Sequence, residues 1–410
     1  MIELKHRKII GISVLGTMLE FYDFTLYAIF VTTLSKHFFP DTSQIASLLA
    51  AFGAFAAGFI MRPLGGIFFG YIGDKYGRRN ALSLSIVLMG IPCLIMGLLP
   101  SYAAVGLISP VLLFLCRMIQ GLSSGGEFTG AAIFALEHVE KKSPGLAGSL
   151  VSVSGGVGAL CAIGASYLVT LSDQADAWRI PFIVGGFISL IGVFLRQRLE
   201  ETPVFSALQK TIIQKSPAES FKTLAHHKLS LLTTIFIGAL DGTLLYMLVG
   251  FLRIYMEIFL GVDTARATLM GTLGLVFYLF ATPLMGMLYD RLGESRRFMP
   301  MLSGFFILGS FVSFGLLQSG FLGLGTFVFA LMCSGISASE HPYIQKLFPP
   351  AIRYLGVSFG FNLGTAVLGG TAPLLLTYLI NSSQNLWIPS FYITVLSLML
   401  LGTTRLLKRL

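Results

Sequence analysis

The sequence predicts an all-α polytopic membrane protein with twelve transmembrane helices arranged as two pseudo-symmetric six-helix halves. Three observations carry this prediction. Of the 410 residues, 55% are hydrophobic and only 11% are charged, whereas a soluble domain carries about 25% charged residues. Apolar runs of roughly 18 residues or more, each long enough to cross a bilayer, recur along the whole chain, and the mean hydropathy is +0.81. One polar motif also occurs twice, half a chain apart. In lipid a spanning backbone must satisfy its own hydrogen bonds, so these runs are helices, and the period-2 alternation of a membrane barrel is absent.

The spans fall near residues 9–35, 45–71, 80–99, 104–137, 146–171, 179–197, 229–256, 264–289, 298–317, 321–345, 353–380 and 386–404. The first is expected to be a retained helix. It is too long for a cleaved leader, carries Glu20 and Asp23, and is followed by no small-residue cleavage site. The longest polar segment contains "LEETPVFSALQKTIIQKSPAES" and marks the domain boundary. It divides the chain into an N-terminal six-helix bundle (1–197), a cytoplasmic linker (198–228) and a C-terminal six-helix bundle (229–410).

The net charge of +9 follows topology. Lys5, Arg7 and Lys8 precede span 1; Lys75, Arg78 and Arg79 join spans 2 and 3; Lys141 and Lys142 join spans 4 and 5. Arg196, Arg198, Lys210, Lys215, Lys222 and Lys228 mark the central stretch, Arg291, Arg296 and Arg297 join spans 8 and 9, and Arg405, Lys408 and Arg409 end the chain. The alternate loops hold little beyond Lys36, Arg179 and Arg266. This asymmetry places both termini and the linker in the cytoplasm, and it excludes a nucleic-acid partner. Cys93, Cys116, Cys161 and Cys333 sit within apolar spans, without metal-ligand spacing or a pairing pattern, and read as small buried hydrophobes. No phosphate-binding G-x-x-x-x-G-K-[ST] loop and no G-x-S-x-G elbow is present. We therefore expect no catalytic residue, no metal and no cofactor. The rival classes are an intramembrane enzyme, for which no nucleophile and base are nominated, and a channel.

The repeated motif reads "GYIGDKYGRRN" at 70–80 and "GMLYDRLGESRR" at 286–297. Gly70, Asp74, Lys75 and Gly77 correspond to Gly286, Asp290, Arg291 and Gly293, at an offset of roughly 210 residues, as a two-fold repeat requires. A loop with a glycine at each end turns tightly between antiparallel spans. Its Asp can accept hydrogen bonds from amides at a facing helix N-terminus, and its arginines can pair with carboxylates at neighbouring helix ends. A plain topology signal needs no Asp, no glycines and no second copy. The predicted cytoplasmic gate comprises Gly70, Asp74, Gly77, Arg78, Arg79, Glu137, Asp290 and Arg291, with Glu137 within reach of Arg78 or Arg79.

This "G-x-x-x-D-[RK]-x-G-R-R" pattern between spans 2 and 3, repeated between spans 8 and 9, resembles the signature of the major facilitator superfamily. Within it, the chain resembles the metabolite–proton symporters, which include proline/betaine, α-ketoglutarate, citrate and shikimate transporters. "LEFYDFTLYAIF" (19–30), "FIMRPLGGIFFGYIGDKYGRRNAL" (59–82), "RMIQGLSSGGEFTGAAIFALEH" (117–138), "RLEETPVF" (198–205) and "RYLGVSFGFNLGTAVLGGTAP" (353–373) carry the resemblance across nearly the whole chain. A smaller group of amino-acid importers from bacteria that live inside host cells looks similar as well. The resemblance implies the major facilitator fold and a monomeric protein of the bacterial inner membrane, working by alternating access on a small molecule and protons within the lipid bilayer. Two departures stand out. Lys346 replaces the usual acidic residue before "FP", and Pro144 replaces the usual Arg before "G-x-x-G-S". The chain given ends at "RLLKRL", without the coiled-coil extension of the osmosensing relatives, so gating of that kind is not expected.

A charge at bilayer depth costs about 2.5–3.5 kcal/mol on insertion scales and marks a functional site. Asp23 and Arg117 each lie about 20 Å into their spans at 1.5 Å per residue, and the resemblance places spans 1 and 4 around the central cavity. We expect the two to face each other or to share a substrate. A substrate carboxylate that competes for Arg117 would leave Asp23 without its partner and ready to take a proton, which couples the two binding events. A static ion pair is the simpler alternative. Glu20, one turn earlier, is the alternative proton site. Arg62 and Glu127, at similar depth, are expected to pair with each other. In the second half Asp241 lies near the midplane, Tyr22 and Tyr246 offer hydroxyls or aromatic walls, and Asn362 offers an amide to the cavity. Arg253 is a further guanidinium for a carboxylate, and His341 reads as a gate or interfacial residue. The expected function is import of a small carboxylate-bearing metabolite, an amino acid or betaine or else an organic acid, with protons. The alternatives are a di- or tricarboxylate symporter, or an exporter or antiporter. Span 5, "SLVSVSGGVGALCAIGASYL", has glycines but no proline of the kind that drug antiporters carry, which favours import.

Overall fold

The computed structural model describes residues 4–39, 44–139, 143–172, 174–209, 216–292 and 298–407. Among the described residues, twelve helices are long and apolar enough to cross a membrane: α1 (Ile9–Phe38), α2 (Ala46–Tyr76), α3 (Arg78–Leu98), α4 (Ile108–His138), α5 (Pro144–Thr170) and α6 (Arg179–Gln197), then α7 (Lys228–Phe259), α8 (Thr264–Leu292), α9 (Phe298–Gln318), α10 (Leu322–Leu347), α11 (Pro350–Ser383) and α12 (Ile388–Leu407). No strand occurs among the described residues. An even number of crossings brings the first and last helices to the same end of the bundle, here called the termini end.

In the first half α2 packs on α4, α3 on α6 and α1 on α5; in the second, α8 packs on α10, α7 on α11, and α9 on α10 and α12. The halves meet along two seams, α2 against α11 and α5 against α8, with α5 also touching α10. Between α6 and α7 the chain forms two short helices, Pro203–Gln209 and Pro217–His226. The second is fixed by a capping box in which Ser216 and Glu219 each bond the other's backbone amide. Large apolar side chains such as Ile60, Phe280 and Leu374 point outward, as a lipid-facing surface allows. Both α7 and α11 loosen into π-helical turns, at Met247–Phe251, Tyr255–Phe259 and Thr365–Gly369.

The repeated motif is more helical than its glycines suggested. Helix α2 runs to Tyr76, so Gly70 and Asp74 lie in its last turns and the turn itself is Gly77 alone, at φ +107. The Lys75 ammonium donates to the Tyr71 hydroxyl four residues back at 2.8 Å, which supports the extra turn. In the second copy Gly286, Asp290 and Arg291 likewise belong to α8, with Arg291 exposed. Gly293, Arg296 and Arg297 lie outside the described residues, as do Lys141, Lys142, Lys210, Lys215, Lys408 and Arg409, and nothing is described of the side chains of Lys5, Arg7 and Lys8. Span 4 also starts later than the hydropathy suggested. A single helical turn, Tyr102–Val105, is cut off by Gly106 at φ +60 before α4 begins.

Candidate functional site: a charged ladder between two seams

Helix α4 presents Arg117, Gln120, Ser124 and Glu127 at helical spacing, on one face. Their partners form a ladder about 15 Å tall at 1.5 Å per residue. On the top rung, Arg117 donates through Nη1 to Asp23 Oδ2 at 3.0 Å and to Gln120 Oε1 at 2.8 Å. The guanidinium carbon lies 4.4, 4.6 and 5.3 Å from the ring centroids of Tyr27, Phe24 and Phe55, within cation–π range. Arg117 is 0% exposed and Asp23 2%. Arg117 Nε and Nη2 nonetheless have no hydrogen-bond partner among the described residues.

The middle rung joins Glu20 Oε1 to Arg62 Nη2 at 2.5 Å and to the Ser124 hydroxyl. Arg62 also rests on Phe24 and Phe59, at 5.0 and 5.2 Å. Its Nη1 donates to the Tyr246 hydroxyl at 3.3 Å, across to the second half. Glu20 Oε2 and Arg62 Nε are buried without a hydrogen-bond partner among the described residues. On the bottom rung Glu127 and Arg196 form a two-pronged pair, 2.8 Å between Oε2 and Nη1 with a second contact from Oε1 to Nη2. Arg196 also donates to the carbonyls of Leu82 (2.6 Å) and Ser13 (2.9 Å), and the Ser85 hydroxyl reaches Glu127 at 2.5 Å.

The expected Arg62–Glu127 pair is therefore corrected. Arg62 faces α1 and takes Glu20, while Glu127 lies nearer the termini end and faces α3 and α6, where Arg196 meets it. Arg196 had read as a topology charge at the end of span 6, yet it is only 2% exposed. Several other candidates are used differently from expectation. The Tyr22 hydroxyl donates to the Pro181 carbonyl at 3.0 Å and its ring packs with Phe182 and Cys93, away from the ladder. The Asn362 amide is spent on the carbonyls of Gly125 and Ser358, both at 2.8 Å, so it stitches the seam between halves. Arg253 is exposed and paired with Glu257 at 3.5 Å. His341 is fully buried against the rings of Phe128 and Phe361, at 4.8 and 6.0 Å. Asp241 is buried on α7 and accepts a 2.8 Å bond from Ser337.

At the termini end both motif aspartates cap a helix of the opposite half. Asp74 accepts from the amides of Tyr354 and Leu355 at 3.0 and 2.9 Å, at the start of α11. Asp290 accepts from Gly145 and Leu146 at 2.6 and 3.0 Å, at the start of α5. In each case the carboxylate meets the positive end of a helix. A Cβ at Gly70 would strike Leu355, and one at Gly286 would strike Gly145, so these glycines permit the approach. The first seam carries more. Arg78 bonds the carbonyls of Gly73 and Pro350 at 2.8 Å each, and Glu137 binds Arg353 at 2.9 Å, Arg78 at 3.3 Å and the Thr202 hydroxyl at 2.6 Å. Arg79 turns away, its amide to the Glu201 carboxylate and its side chain to the Leu199 carbonyl. Further toward the midplane Tyr354 bonds the Gly126 carbonyl and Thr129 meets Ser358 across the same seam, at 2.9 and 2.6 Å.

Beside the ladder, an apolar crevice of about 670 Å³ opens between α2 and α11, lined by Phe55, Phe59, Pro63, Tyr246, Val367 and Pro373 among others. Phe55 and Phe59 thus separate this crevice from the guanidinium groups of Arg117 and Arg62.

This geometry coincides with a family match. Residues 9–229 match the family described as "Sugar (and other) transporter". The chain is 35% identical over 412 aligned residues, covering 96% of itself and 81% of the relative, to the proline/betaine transporter of Salmonella typhimurium. The protein belongs to the major facilitator superfamily. It is also 33% identical to the glycine betaine/proline/ectoine/pipecolic acid transporter OusA of Dickeya dadantii, covering 98% of this chain and 83% of the relative. Among solved structures, the proton:xylose symporter XylE bound to 6-bromo-6-deoxy-D-glucose superposes with a TM-score of 0.75 at 16% identity, covering 98% of this chain and 95% of that one. A bacterial homologue of the iron transporter ferroportin in its outward-facing state gives 0.70 at 14% identity, covering 97% and 99%. The protein is accordingly a multi-pass membrane transporter of small solutes and not an enzyme.

Proposed function

We propose that this transporter imports a small zwitterion, an amino acid or betaine bearing a carboxylate, together with protons by alternating access. The Asp23–Arg117 rung is the observation that carries the proposal. A buried guanidinium, held by one carboxylate and framed by three aromatic rings, keeps two donors unpartnered. A substrate carboxylate suits those donors, because guanidinium pairs with carboxylate through two parallel bonds. Once Arg117 turns to substrate, Asp23 loses its counter-charge and takes the proton, so the two bind together. The relatives named as proline/betaine transporters support the zwitterion over a polycarboxylate.

The basic residues concentrate at the termini end, and on the positive-inside asymmetry that end faces the cytoplasm of the inner membrane. The two aspartate caps and the Arg78–Glu137–Arg353 cluster then form the cytoplasmic gate, here in its closed state, and Asp23, Glu20 and Tyr246 lie on the path from the outer face.

The test is uptake of labelled proline and glycine betaine into proteoliposomes under an imposed inward proton gradient. We expect accumulation that a protonophore abolishes. Asp23→Asn should lose gradient-driven accumulation while keeping exchange of preloaded substrate. Coupling free energies of this kind typically amount to about 5–150-fold in affinity, so the pH dependence of binding should flatten by a factor in that range. Accumulation by Asp23→Asn equal to that of the parent protein would sink the coupling role.

A further inference from the structure

The first half sets an arginine opposite each buried carboxylate of α1. The second half does not. There Asp241 on α7 lies within hydrogen-bonding reach of Glu340 on α10. Glu340 is 0% exposed, and among the described residues no arginine or lysine pairs with either acid. Two ionised carboxylates are acceptors only, so the two can hydrogen-bond each other only when one carries a proton. Two bare negative charges side by side, out of water and without a counter-ion, would repel strongly.

Serine hydroxyls and further titratable side chains surround the pair. Ser337 donates to Asp241 at 2.8 Å, and Ser152 on α5 reaches Glu340 Oε1 at 3.4 Å while bonding the Ser337 carbonyl at 2.9 Å. Tyr278 from α8, Cys333 from α10 and Tyr246 from α7 are the other titratable groups facing the pair. His341 stands next to it, with Nε2 3.3 Å from Glu340 Oε1. Among the described residues neither of its ring nitrogens has a hydrogen-bond partner, and nor does Glu340 Oε2; all three are buried.

We propose that Asp241 and Glu340 form a second proton-binding site, one proton shared between two carboxyl groups, with His341 as the neighbouring acceptor. It is separate from Asp23, on the other half of the molecule. Because Ser152 reaches Glu340 from the first half, the site is complete only while the α5–α10 contact is closed. The site itself stands on this geometry; its use in transport rests on the reading above.

Infrared spectroscopy of the purified protein tests it directly, because a neutral carboxyl has a carbonyl stretch distinct from that of a carboxylate. At neutral pH the parent protein should show a neutral-carboxyl band that Glu340→Gln and Asp241→Asn each remove. A band that survives in either variant, or no such band in the parent, overturns the proposal. A failure here leaves the uptake experiment untouched, and an absence of uptake leaves the infrared result standing.

Discussion

Arg117, Arg62 and Arg196 are three buried arginines opposite carboxylates, and their surroundings give them different work. Arg196 is held by a two-pronged carboxylate and two carbonyls, which leaves only its Nε without a hydrogen-bond partner among the described residues. Removing one member of such a pair strands a buried charge, at a cost of about 3–5 kcal/mol. We therefore expect Arg196→Met to lower the melting temperature sharply, and Arg196→Met combined with Glu127→Gln to recover most of the loss. If the double variant melts no higher than the single, the pair is not the source of the defect. Arg117, with two unpartnered donors, should behave in the opposite sense: Arg117→Lys should fold yet bind substrate poorly, because a single ammonium cannot reproduce the planar fork. Binding calorimetry on the folded variant reads this. Depth was legible from residue spacing, since rise per residue is fixed. Azimuth was not legible there. Nothing in the spacing says whether Arg62 turns toward α1 or α4, so the Arg62–Glu127 expectation failed while Asp23 and Arg117 were placed opposite each other. Arg196 was missed for a related reason: a cation at the end of an apolar span looks the same in sequence whether it faces water or a buried glutamate.

At the scale of elements, the turn between α2 and α3 is a single residue. Gly77 sits at φ +107, where a side chain is strained, and an added Cβ would also run into the Glu201 carboxylate that accepts from the Arg79 amide. Gly77→Ala should therefore destabilise by about 1–3 kcal/mol, the range for a residue held in a sparsely populated backbone region. Thermal unfolding checks it, and a neutral effect would mean the turn relaxes. Gly70 is a different case, lying inside a helix where the neighbour is the backbone of the other half. Gly70→Leu should leave the first half folded but hold the α2–α11 seam apart. Labelling of an introduced Ser358→Cys by a membrane-impermeant thiol reagent from the termini end should rise. No change in labelling would show that the seam closes around the larger side chain. The helices themselves were legible because hydropathy measures what the bilayer demands. Their ends were less so: Gly70 and Gly286 resemble loop glycines in sequence, and only the packing partner reveals them as close-approach positions within α2 and α8.

For the whole molecule, the twelve crossings and the central polar stretch follow from composition, and the repeated Asp74 and Asp290 motifs anticipated the two caps on opposite halves. What the repeat did not convey is how unequal the two seams are. The α2–α11 side combines the Asp74 cap with Arg78, Glu137 and Arg353, whereas on the α5–α8 side Lys346 and Pro144 occupy the places where the resembled family carries an acid and an arginine. A clamshell with one strong and one weak edge does not open like a symmetric jaw. It swings, with the strong edge acting as the hinge side and the weak edge as the lip. Spin-label pairs across each edge, measured by pulsed dipolar spectroscopy with and without substrate, should then show the α5–α8 distances lengthening first and by more than the α2–α11 distances. The route by which cargo leaves toward the termini end would accordingly run off-axis, along the face formed by α5 and α8.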